Sequence, residues 1–562
     1  MNKNIFFIVV DSFSNQLLSN DLMPIVMPYL YSKKDSLVIK NMMSHGPYTE
    51  AGIKPLLTGS NSMSDYGYLN RINYSKNNLF STFKNLGYET SSVYYDDNLY
   101  SKDIINQIDN LILAAGMHFI SIWDTKFKYY SEILKSDTSK LYSKEINILI
   151  DVMENVFLGY DLFFAESANL FLLKKESLSY DFDKNKKLYL KEKEKFELNK
   201  EAYLYDLLLT ALDHAIFKIE DIKTNDKLIP EIFDMSTQYL KMFKDIKKKQ
   251  RVSNYKQLMK VKHYKNKKSF LAYYNFVMNN ATNFSRPDIY EYLSNLTPSA
   301  PKQLNALCKK YTQNSFNYAH LEDLHGYPKY ITYDMYEKGL IEQELTIANE
   351  YLKKRNNSIG NINYELSMRY TDYHIEKFIK EVSLKNPDSE NIFVITGDHG
   401  TSTMYKPIRD KNVNTFYLEN YMVPLFILND KNNESYVSEE LISSKEIYNI
   451  VTNYCKNGFK DCINYLSTIE KFGHIEFMGP GCPDFVRRKM WLSETDGKLL
   501  LTGKLNIFDD EAITIEGCFD LEQDPDQLVN LNFDERFSVL HDRLNKRIKE
   551  LKKEYEGFKN EK

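Results

Sequence analysis

The sequence predicts a doubly wound α/β protein with a large helical insertion and a small C-terminal antiparallel sheet. Continuous apolar runs such as "NIFFIVV" (4–10) are typical of strands buried on both faces of a parallel sheet. Helical patterns such as "NLFSTFKNLG" and "TDYHIEKFIKEVSLKN" lie between these runs. Towards the C-terminus, short alternating stretches such as "KMWLSET" and "GKLLLTGKLNIF" indicate a separate antiparallel sheet.

These elements divide the chain into three parts. Further candidate strands of the core are, in order, "SLVIKNMM", "ETSSVYY", "SFNYAHL", "NIFVITG" and "VPLFIL". We therefore assign residues 1–102 and 301–470 to the α/β core. Residues 103–300 form a mainly helical insertion, because their Lys/Glu runs are typical of solvated helix faces. Residues 471–562 form the β subdomain and a Lys-rich terminal helix.

Composition excludes several classes of protein. The 562 residues are 43% hydrophobic and 27% charged, as in folded globular proteins, and the net charge of −4 gives no basic field for nucleic acid. The five cysteines form no CxxC pair, which argues against a zinc knuckle or a disulfide framework. The first apolar run is too short for a signal peptide, and no run approaches the length of a membrane span. We expect a cytoplasmic protein; the amphipathic segment 147–175 is either buried or lies on the inner face of a membrane or on a partner.

Polar residues that follow the apolar strands carry the candidate chemistry. Asp11 ends the first strand, Thr49 follows the second at the start of a helix, and Asp398 and His399 follow a late strand. Ligand sites in doubly wound sheets lie at the carboxyl ends of the strands. Two carboxylates, one imidazole and one hydroxyl suit Zn²⁺ or Mn²⁺, with Mg²⁺ or Ca²⁺ as alternatives. Taken singly, such residues are more often turn or cap residues; their joint occurrence predicts one divalent metal site that activates Thr49.

Several motifs in order then resemble a known family. They are "NIFFIVVDSF", "MPYLYSK", "YTEAGIKPLLTG", "FNYAHLEDLHGYP", "VITGDHG", "VPLFIL" and "CFDLEQDPDQLVNL". The chain resembles the sulfatase branch of the alkaline phosphatase superfamily, most of all lipoteichoic acid synthase and the phosphoglycerol and phosphoethanolamine transferases. The resemblance implies an alkaline-phosphatase-like core and covers the N-terminal and C-terminal thirds; the middle of the chain resembles nothing we can name.

The nucleophile position departs from the sulfatase pattern. Sulfatases place Cys/Ser-x-Pro-x-Arg ten residues before the glycine of "LLTG", where this chain has "TEAGI" beginning at Thr49. A secondary hydroxyl cannot become the aldehyde hydrate of sulfate-ester hydrolysis, whereas a threonine alkoxide can form a phospho-enzyme. The first strand ends in Asp11-Ser12-Phe13, which resembles the transferases' Glu-Ser-Phe. The resemblance therefore implies phosphoryl chemistry at Thr49.

Histidines outside the metal set are the next candidates. The resemblance implies that His325 contacts the transferred group or protonates the leaving oxygen. His474 and His45 are candidate substrate contacts, while His320 and Asp323 are expected to be structural. Lys54 and Lys406 are weaker candidates for balancing phosphate charge. A second metal would need residues such as Asp323, His325 and His474, but the Asp-x-His spacing resembles the one-metal branch.

The predicted function is transfer of a phosphoglycerol-type or phosphoethanolamine-type group. The donor would be a phosphodiester linked to a lipid or a nucleotide, and the acceptor a glycan precursor of the cell surface. One alternative is a phosphodiesterase, phosphatase or sulfuric-ester hydrolase of the same superfamily. Another is a non-catalytic member that binds glycan or lipid.

Overall fold

A computed structural model gives the fold of the chain. It describes residues 2–15, 27–33, 36–64, 77–94, 106–113, 182–209, 300–325, 362–401, 417–432, 434–478, 489–506, 512–525 and 527–559, together with isolated positions between 104 and 157. The amphipathic segment 147–175 lies almost entirely outside these residues, as does Lys406.

The main sheet carries the site at one of its edges. Its strands in the described part of the chain are β1 (Lys3–Val10), β2 (Leu37–Met43), β3 (Glu89–Tyr94), β4 (Asn110–Leu113), β5 (Ser315–Leu321), β6 (Glu390–Gly397), β7 (Met422–Asn429) and β8 (Tyr436–Ser443). Their order is β4-β3-β5-β1-β6-β7-β2-β8, and β7 alone is antiparallel to its neighbours. The carboxyl ends of β1, β2, β5 and β6 therefore meet at the same edge.

Helices cover both faces of this sheet. The helices in the described part of the chain are α1 (Pro28–Ser32), α2 (Thr49–Thr58), α3 (Leu79–Asn85), α4 (Phe182–Leu198), α5 (Lys200–Leu209), α6 (Ala300–Lys310), α7 (Ile362–Lys385), α8 (Glu446–Asn457), α9 (Phe459–Thr468) and α10 (Ser538–Lys559). One core layer packs α2, α3, α8 and α9 on the sheet, and the other packs α1, α6 and α7. Among the described helices, none combines the length and the apolar character needed to cross a membrane.

The central strand β1 shows why the apolar runs fold this way. Its side chains alternate between the two layers, with Phe7 in one and Phe6 in the other, so both faces of the strand are buried. Phe6 stacks on Phe393 of β6 with ring centroids 5.2 Å apart, and it meets Phe378 of α7 edge to face with centroids 5.3 Å apart. Such aromatic packing fixes β1 relative to β6, and therefore fixes the residues that follow each strand.

A second, antiparallel sheet forms the C-terminal subdomain. It contains β9 (Gly473–Phe477), β10 (Lys489–Thr495), β11 (Leu499–Asn506) and β12 (Thr514–Asp520), in the order β12-β11-β10-β9. The long helix α10 packs against this sheet. With the main sheet and its two helix layers, this arrangement confirms the predicted fold class.

The described part of residues 103–300 contains two helices and one strand of the main sheet. Helices α4 and α5 are packed together through Phe157, Phe196 and Tyr203. Strand β4, however, pairs in parallel with β3 although it lies within the range 103–300. The core sheet thus extends beyond residue 102, because "NLIL" is too short a run to stand out in the sequence. The remaining domain boundaries stay predictions.

Helix α2 lies directly against the end of β6. Its N-cap residue Tyr48 is extended, with φ −138° and ψ 152°, and Gly59 ends the helix with φ +68°. A Cβ atom at Gly52 would lie 2.7 Å from the carbonyl carbon of Asp398 and closer still to its oxygen. Only glycine therefore allows the first turn of this helix to approach the backbone of Asp398.

We expect Gly52→Ala to destabilise the fold by about 3 kcal/mol, since the added methyl group meets backbone atoms that have no free space to move into. Chemical denaturation gives the free energy of unfolding. A variant as stable as wild type would contradict the close approach of α2 to Asp398.

Candidate active site

The structure brings the four strand-end residues together. Asp11 and Asp398 follow neighbouring strands whose last residues, Val10 and Gly397, are in register. Nε2 of His399 lies 3.6 Å from Oδ1 of Asp11 and 3.7 Å from Oδ2 of Asp398. The hydroxyl of Thr49 donates to Oδ2 of Asp11 over 3.1 Å. Residues that are up to 388 positions apart in the sequence thus surround one small volume.

Thr49 is not the cap of its helix. It is the first helical residue of α2, and the N-cap is Tyr48, whose side chain makes no capping hydrogen bond. The Thr49 hydroxyl instead points to Asp11. The common alternative role for a threonine before a helix, which is to cap it, therefore does not apply here.

A strained turn after β1 aligns the acids. Ser12 has φ +60°, which is uncommon for a residue with a side chain, and its backbone N–H donates to Oδ1 of Asp398 over 3.0 Å. The hydroxyl of Tyr364 donates to the carbonyl of Ser12 over 2.7 Å and accepts from the N–H of Ser14 over 2.9 Å. Tyr364, from α7, thus holds the turn in place from the other side.

The residues fit a divalent cation. Oδ1 of Asp398 accepts hydrogen bonds from the N–H groups of Ser12 and His399, whereas its buried Oδ2 accepts none within the described residues. Nδ1 of His399 lies 2.7 Å from the carbonyl oxygen of Gly400. Because a carbonyl oxygen only accepts, Nδ1 carries the hydrogen, and the lone pair of Nε2 is available to a metal ion. Ligand atoms of Asp11, Asp398 and His399 all lie within 4.8 Å of one another. These three residues, together with the hydroxyl of Thr49, would hold such an ion.

Charge interactions inside the site are strong because it is buried. Burial opposes ionisation of Asp398, but the nearby His399 and His320 hold the pKa of its carboxyl well below the usual range. Burial also favours neutral His399, yet the carboxylates of Asp398 and Asp11 raise the pKa of its ring. The site therefore favours an ionised Asp398 and positive charge beside it.

Two residues at the end of β5 were not among the predicted site residues. Nε2 of His320 lies 3.6 Å from Oδ2 of Asp398 and 3.9 Å from Oδ2 of Asp11, so this ring faces both acids. The signal that could have found it is a histidine near the end of a fully buried strand, directly opposite Val9 of β1. Burial and then the charge of Asp11 raise the pKa of Glu322, the next acid, well above its usual value.

The other residues singled out near β5 and α2 have separate positions. Asp323 accepts a hydrogen bond from the N–H of Ala300 over 2.6 Å, at the start of α6, which is the expected structural role. His325 is exposed just before residues outside the described part, and its role with the leaving group stays a prediction. The ammonium group of Lys54 donates to the carbonyl of Ser64, beyond the end of α2.

His45 and His474 lie next to each other in a second cluster. Their rings meet edge to face with centroids 5.3 Å apart. Nδ1 of His474 lies 2.6 Å from Oε1 of Glu494, and its Nε2 lies 2.9 Å from Oε2 of Glu476. Nε2 of His45 is 2.8 Å from the hydroxyl of Ser443. Both rings are buried among protein groups, and the expectation that they contact substrate stays a prediction.

Two arginines make this second cluster an ion network. Arg547 of α10 donates to both oxygens of Glu476, over 2.7 and 3.1 Å, and Arg543 donates to Oε2 of Glu494 over 3.1 Å. His45, His474 and Glu476 have ligand atoms within 4.8 Å of one another. The guanidinium of Arg547 already occupies Glu476, the carboxylate of that set, and its positive charge would repel a metal ion. We therefore call His474, Glu476, Glu494, Arg543 and Arg547 the ion cluster.

The protonation of His474 follows from these partners. Burial alone would favour the neutral ring, but the carboxylates of Glu494 and Glu476 raise the pKa of His474 to about 9. His45 has the opposite behaviour, since burial and the positive charge of His474 lower its pKa well below the usual value. At neutral pH, His474 is an imidazolium and His45 is neutral.

Comparison with known proteins then identifies the family. The sequence profile of the Sulfatase family matches residues 3–144 and 223–482. The protein therefore belongs to the Sulfatase family. A search of curated protein sequences gave no match.

Solved structures with a similar fold cover nearly the whole chain. A protein of the alkaline phosphatase superfamily from Vibrio parahaemolyticus is 11% identical, with a TM-score of 0.44, and the match covers 99% of this chain and 88% of that one. A sulfatase-like protein from Bacteroides fragilis is 11% identical, with a TM-score of 0.44, and the match covers 98% of this chain and 96% of that one. The phosphonate monoester hydrolase of Agrobacterium radiobacter is 11% identical, with a TM-score of 0.43, and the match covers 98% of this chain and 96% of that one. Similarity this low does not carry an activity over to this chain.

The ion cluster predicts how stability depends on pH. Because the pKa of His474 is raised to about 9 in the folded protein, its contribution is complete below the unfolded value near 6.5 and is lost as the pH rises through 9. The lost stability is on the order of 3 kcal/mol. We expect the His474→Gln variant to lose this part of the pH dependence, as measured by denaturant unfolding between pH 6 and pH 10. A wild-type stability that stays constant over this interval would contradict the assignment.

Proposed function

We propose that this protein is a metal-dependent phosphotransferase that works through a phospho-Thr49 intermediate. It would move a phosphoglycerol-type or phosphoethanolamine-type group from a phosphodiester donor to a glycan hydroxyl. The observation that carries the proposal is the Thr49 hydroxyl, which begins a helix and donates to Asp11 beside Asp398 and His399. A protein that only binds glycan or lipid would not need a hydroxyl nucleophile together with Asp11, Asp398 and His399, so the presence of Thr49 beside these residues argues against that alternative.

In the first half-reaction, Thr49 attacks the phosphorus of the donor. The bond from Thr49 Oγ1 to phosphorus forms while the bond from phosphorus to the donor's leaving alcohol breaks. The hydroxyl of Thr49 passes its proton to Asp11, which accepts its hydrogen bond, and the leaving oxygen gains a proton, for which His325 is the proposed donor. The N-terminus of α2 favours the negative charge of the phosphoryl group next to Thr49.

In the second half-reaction, an acceptor hydroxyl attacks the phospho-threonine. The bond from the acceptor oxygen to phosphorus forms while the acceptor proton passes to His325, and the bond from phosphorus to Thr49 breaks while Asp11 returns a proton to Oγ1. If water replaced the acceptor, the same steps would give hydrolysis. Asp11 accepts the hydrogen bond of the Thr49 hydroxyl before the first attack and again after the second, and so orients this oxygen towards the phosphorus at the start of each cycle.

A bound divalent ion would supply Lewis-acid stabilisation of charge on the phosphoryl oxygens and lower the pKa of the hydroxyl. Asp11, Asp398, His399 and Thr49 are the residues that would hold it. One nitrogen among hard oxygens supports Zn²⁺ or Mn²⁺ as the ion. His320, facing both acids, would limit how many further ligands can approach from the side of β5.

Hydrolysis is the second candidate, because membership of the Sulfatase family supports a hydrolase-type enzyme. The residues at the nucleophile favour phosphate over sulfate esters, since "TEAGI" offers no cysteine or serine for oxidation to an aldehyde. Release of product from an aryl phosphodiester with and without a sugar acceptor separates transfer from hydrolysis. Cleavage of aryl sulfates would support the sulfatase alternative instead.

Replacing the nucleophile gives the direct test. Thr49→Val keeps the shape of the side chain but removes the oxygen, so we expect turnover to fall by roughly 10³-fold or more. Thr49→Ser keeps a hydroxyl and serves as the matched control. Mass spectrometry after incubation with donor alone should find an adduct on Thr49 in wild type and none in Thr49→Val, and the added mass identifies the transferred group. Unchanged turnover in the valine variant would revive the non-catalytic alternative.

Removing the metal gives an independent test. Chelation should abolish turnover, and adding back Zn²⁺ or Mn²⁺ should restore it. Asp398→Asn removes one of two buried carboxylate charges, so we expect it to weaken metal binding by about 10- to 100-fold while the fold is kept. Metal content per chain and titration of the metal-free protein measure this. Full metal affinity in the asparagine variant would contradict the assigned ligand set.

A further inference from the structure

One residue of the C-terminal subdomain contacts the chain both before and after α2, the helix that begins with Thr49. The backbone N–H of Glu476, in β9, donates to the carbonyl of His45 over 2.8 Å, just before α2. Beyond the end of α2, the N–H of Met63 donates to Oε1 of Glu476 over 2.7 Å, and the hydroxyl of Ser62 donates to its carbonyl. The segment that enters α2 and the segment that leaves it are thus held by the same residue.

The carboxylate of Glu476 is fully buried, so its charge must be compensated within the protein. Arg547 donates to both of its oxygens, and His474 donates to one of them over 2.9 Å. These two cations come from α10 and from β9 itself. Arg547 in addition donates to the hydroxyl of Ser64 over 2.9 Å, and Tyr555 of the same helix donates to the carbonyl of Met63 over 3.2 Å. Helix α10 therefore supports the exit segment both through Glu476 and directly.

The same segment is fixed to the metal-binding acids at its other side. The hydroxyl of Ser44 donates to the carbonyl of Asp398 over 2.6 Å, and Gly52 packs against that carbonyl. Helix α2 is therefore held between the end of β6 and the ion cluster. A change in the tilt of α2 at the Glu476 side would therefore move Thr49 relative to Asp11.

We infer that Glu476 and Arg547 are positioning residues that set the attack geometry of Thr49 from the C-terminal subdomain. They do so by holding residues 45 and 62–64 on either side of α2. Among the contacts of the described residues, neither side chain bonds to the acids at the ends of β1 and β6. Their loss therefore changes the alignment of Thr49 and leaves Asp11, Asp398 and His399 in place.

The test compares Glu476→Gln with Glu516→Gln. The first substitution keeps the size of the side chain but removes the charge that Arg547 and His474 hold. The second breaks the 2.9 Å ion pair of Glu516 with Lys504 in the same small sheet, on the strand farthest from β9. We expect kcat in Glu476→Gln to fall roughly 10- to 100-fold, with KM and metal affinity within about threefold of wild type. Arg547→Met should behave alike, and Arg547→Lys should recover most of the loss.

Amide hydrogen exchange gives a readout that needs no substrate. We expect faster exchange at Met63 and along α2 in Glu476→Gln and Arg547→Met, but not in Glu516→Gln. The exchange measurement tests the positioning of α2 even if the protein transfers no phosphoryl group. Only the kinetic comparison rests on the proposed function, so failure of the positioning and failure of the proposed function can be told apart. Exchange along α2 equal to that of Glu516→Gln would overturn the inference. A metal equivalent lost from Glu476→Gln would also overturn it, since the cluster would then be a metal site.

Discussion

The structure depends on the burial of two carboxylates side by side. Asp11 and Asp398 are 2% and 0% exposed and follow neighbouring strands, so their charges repel each other in a place that water does not reach. Such a pair is stable only with positive charge beside it. His399 and His320 both face the pair, and a divalent ion would complete the neutralisation. The charge of Asp398 also needs hydrogen-bond donors, and the backbone N–H groups of Ser12 and His399 supply them to Oδ1. The strained turn at Ser12 presents one of these groups.

The second buried charge group solves a related problem without a metal. In the ion cluster, two carboxylates pair with two guanidiniums and an imidazolium. The remaining positive charge is met by glutamates at the rim of the cluster, Glu470, Glu550 and Glu554, which pair with the two arginines. Because the residues of the cluster come from β9, β10 and α10, the cluster joins the small sheet to the helix that packs on it. Its contacts with residues 45 and 62–64 then link the C-terminal subdomain to α2, which carries the nucleophile.

Membership of the Sulfatase family and the identity of the nucleophile carry different information. The family defines the sheet, the acids at its edge and the expectation of a divalent metal. Thr49 narrows the chemistry, because a threonine can form a phospho-ester but not the aldehyde hydrate used on sulfate esters. In the proposed mechanism, the groups around the site rather than the acids themselves decide whether a sugar hydroxyl or water reaches the phospho-threonine.

The sequence by itself determined the fold class and the first set of site residues. Periodicity marked β1, β2, β5 and β6, and the polar residues directly after them, Asp11, Asp398 and His399, needed only the rule that parallel strands end at one edge. Only the tertiary structure decided that His320 faces both acids and that His474 bonds to Glu494 and Glu476. Strand order and register set those contacts, and neither can be read from local patterns, since the partners are brought together by pairing between distant segments. The short strand β4 was likewise recognisable only by its pairing with β3.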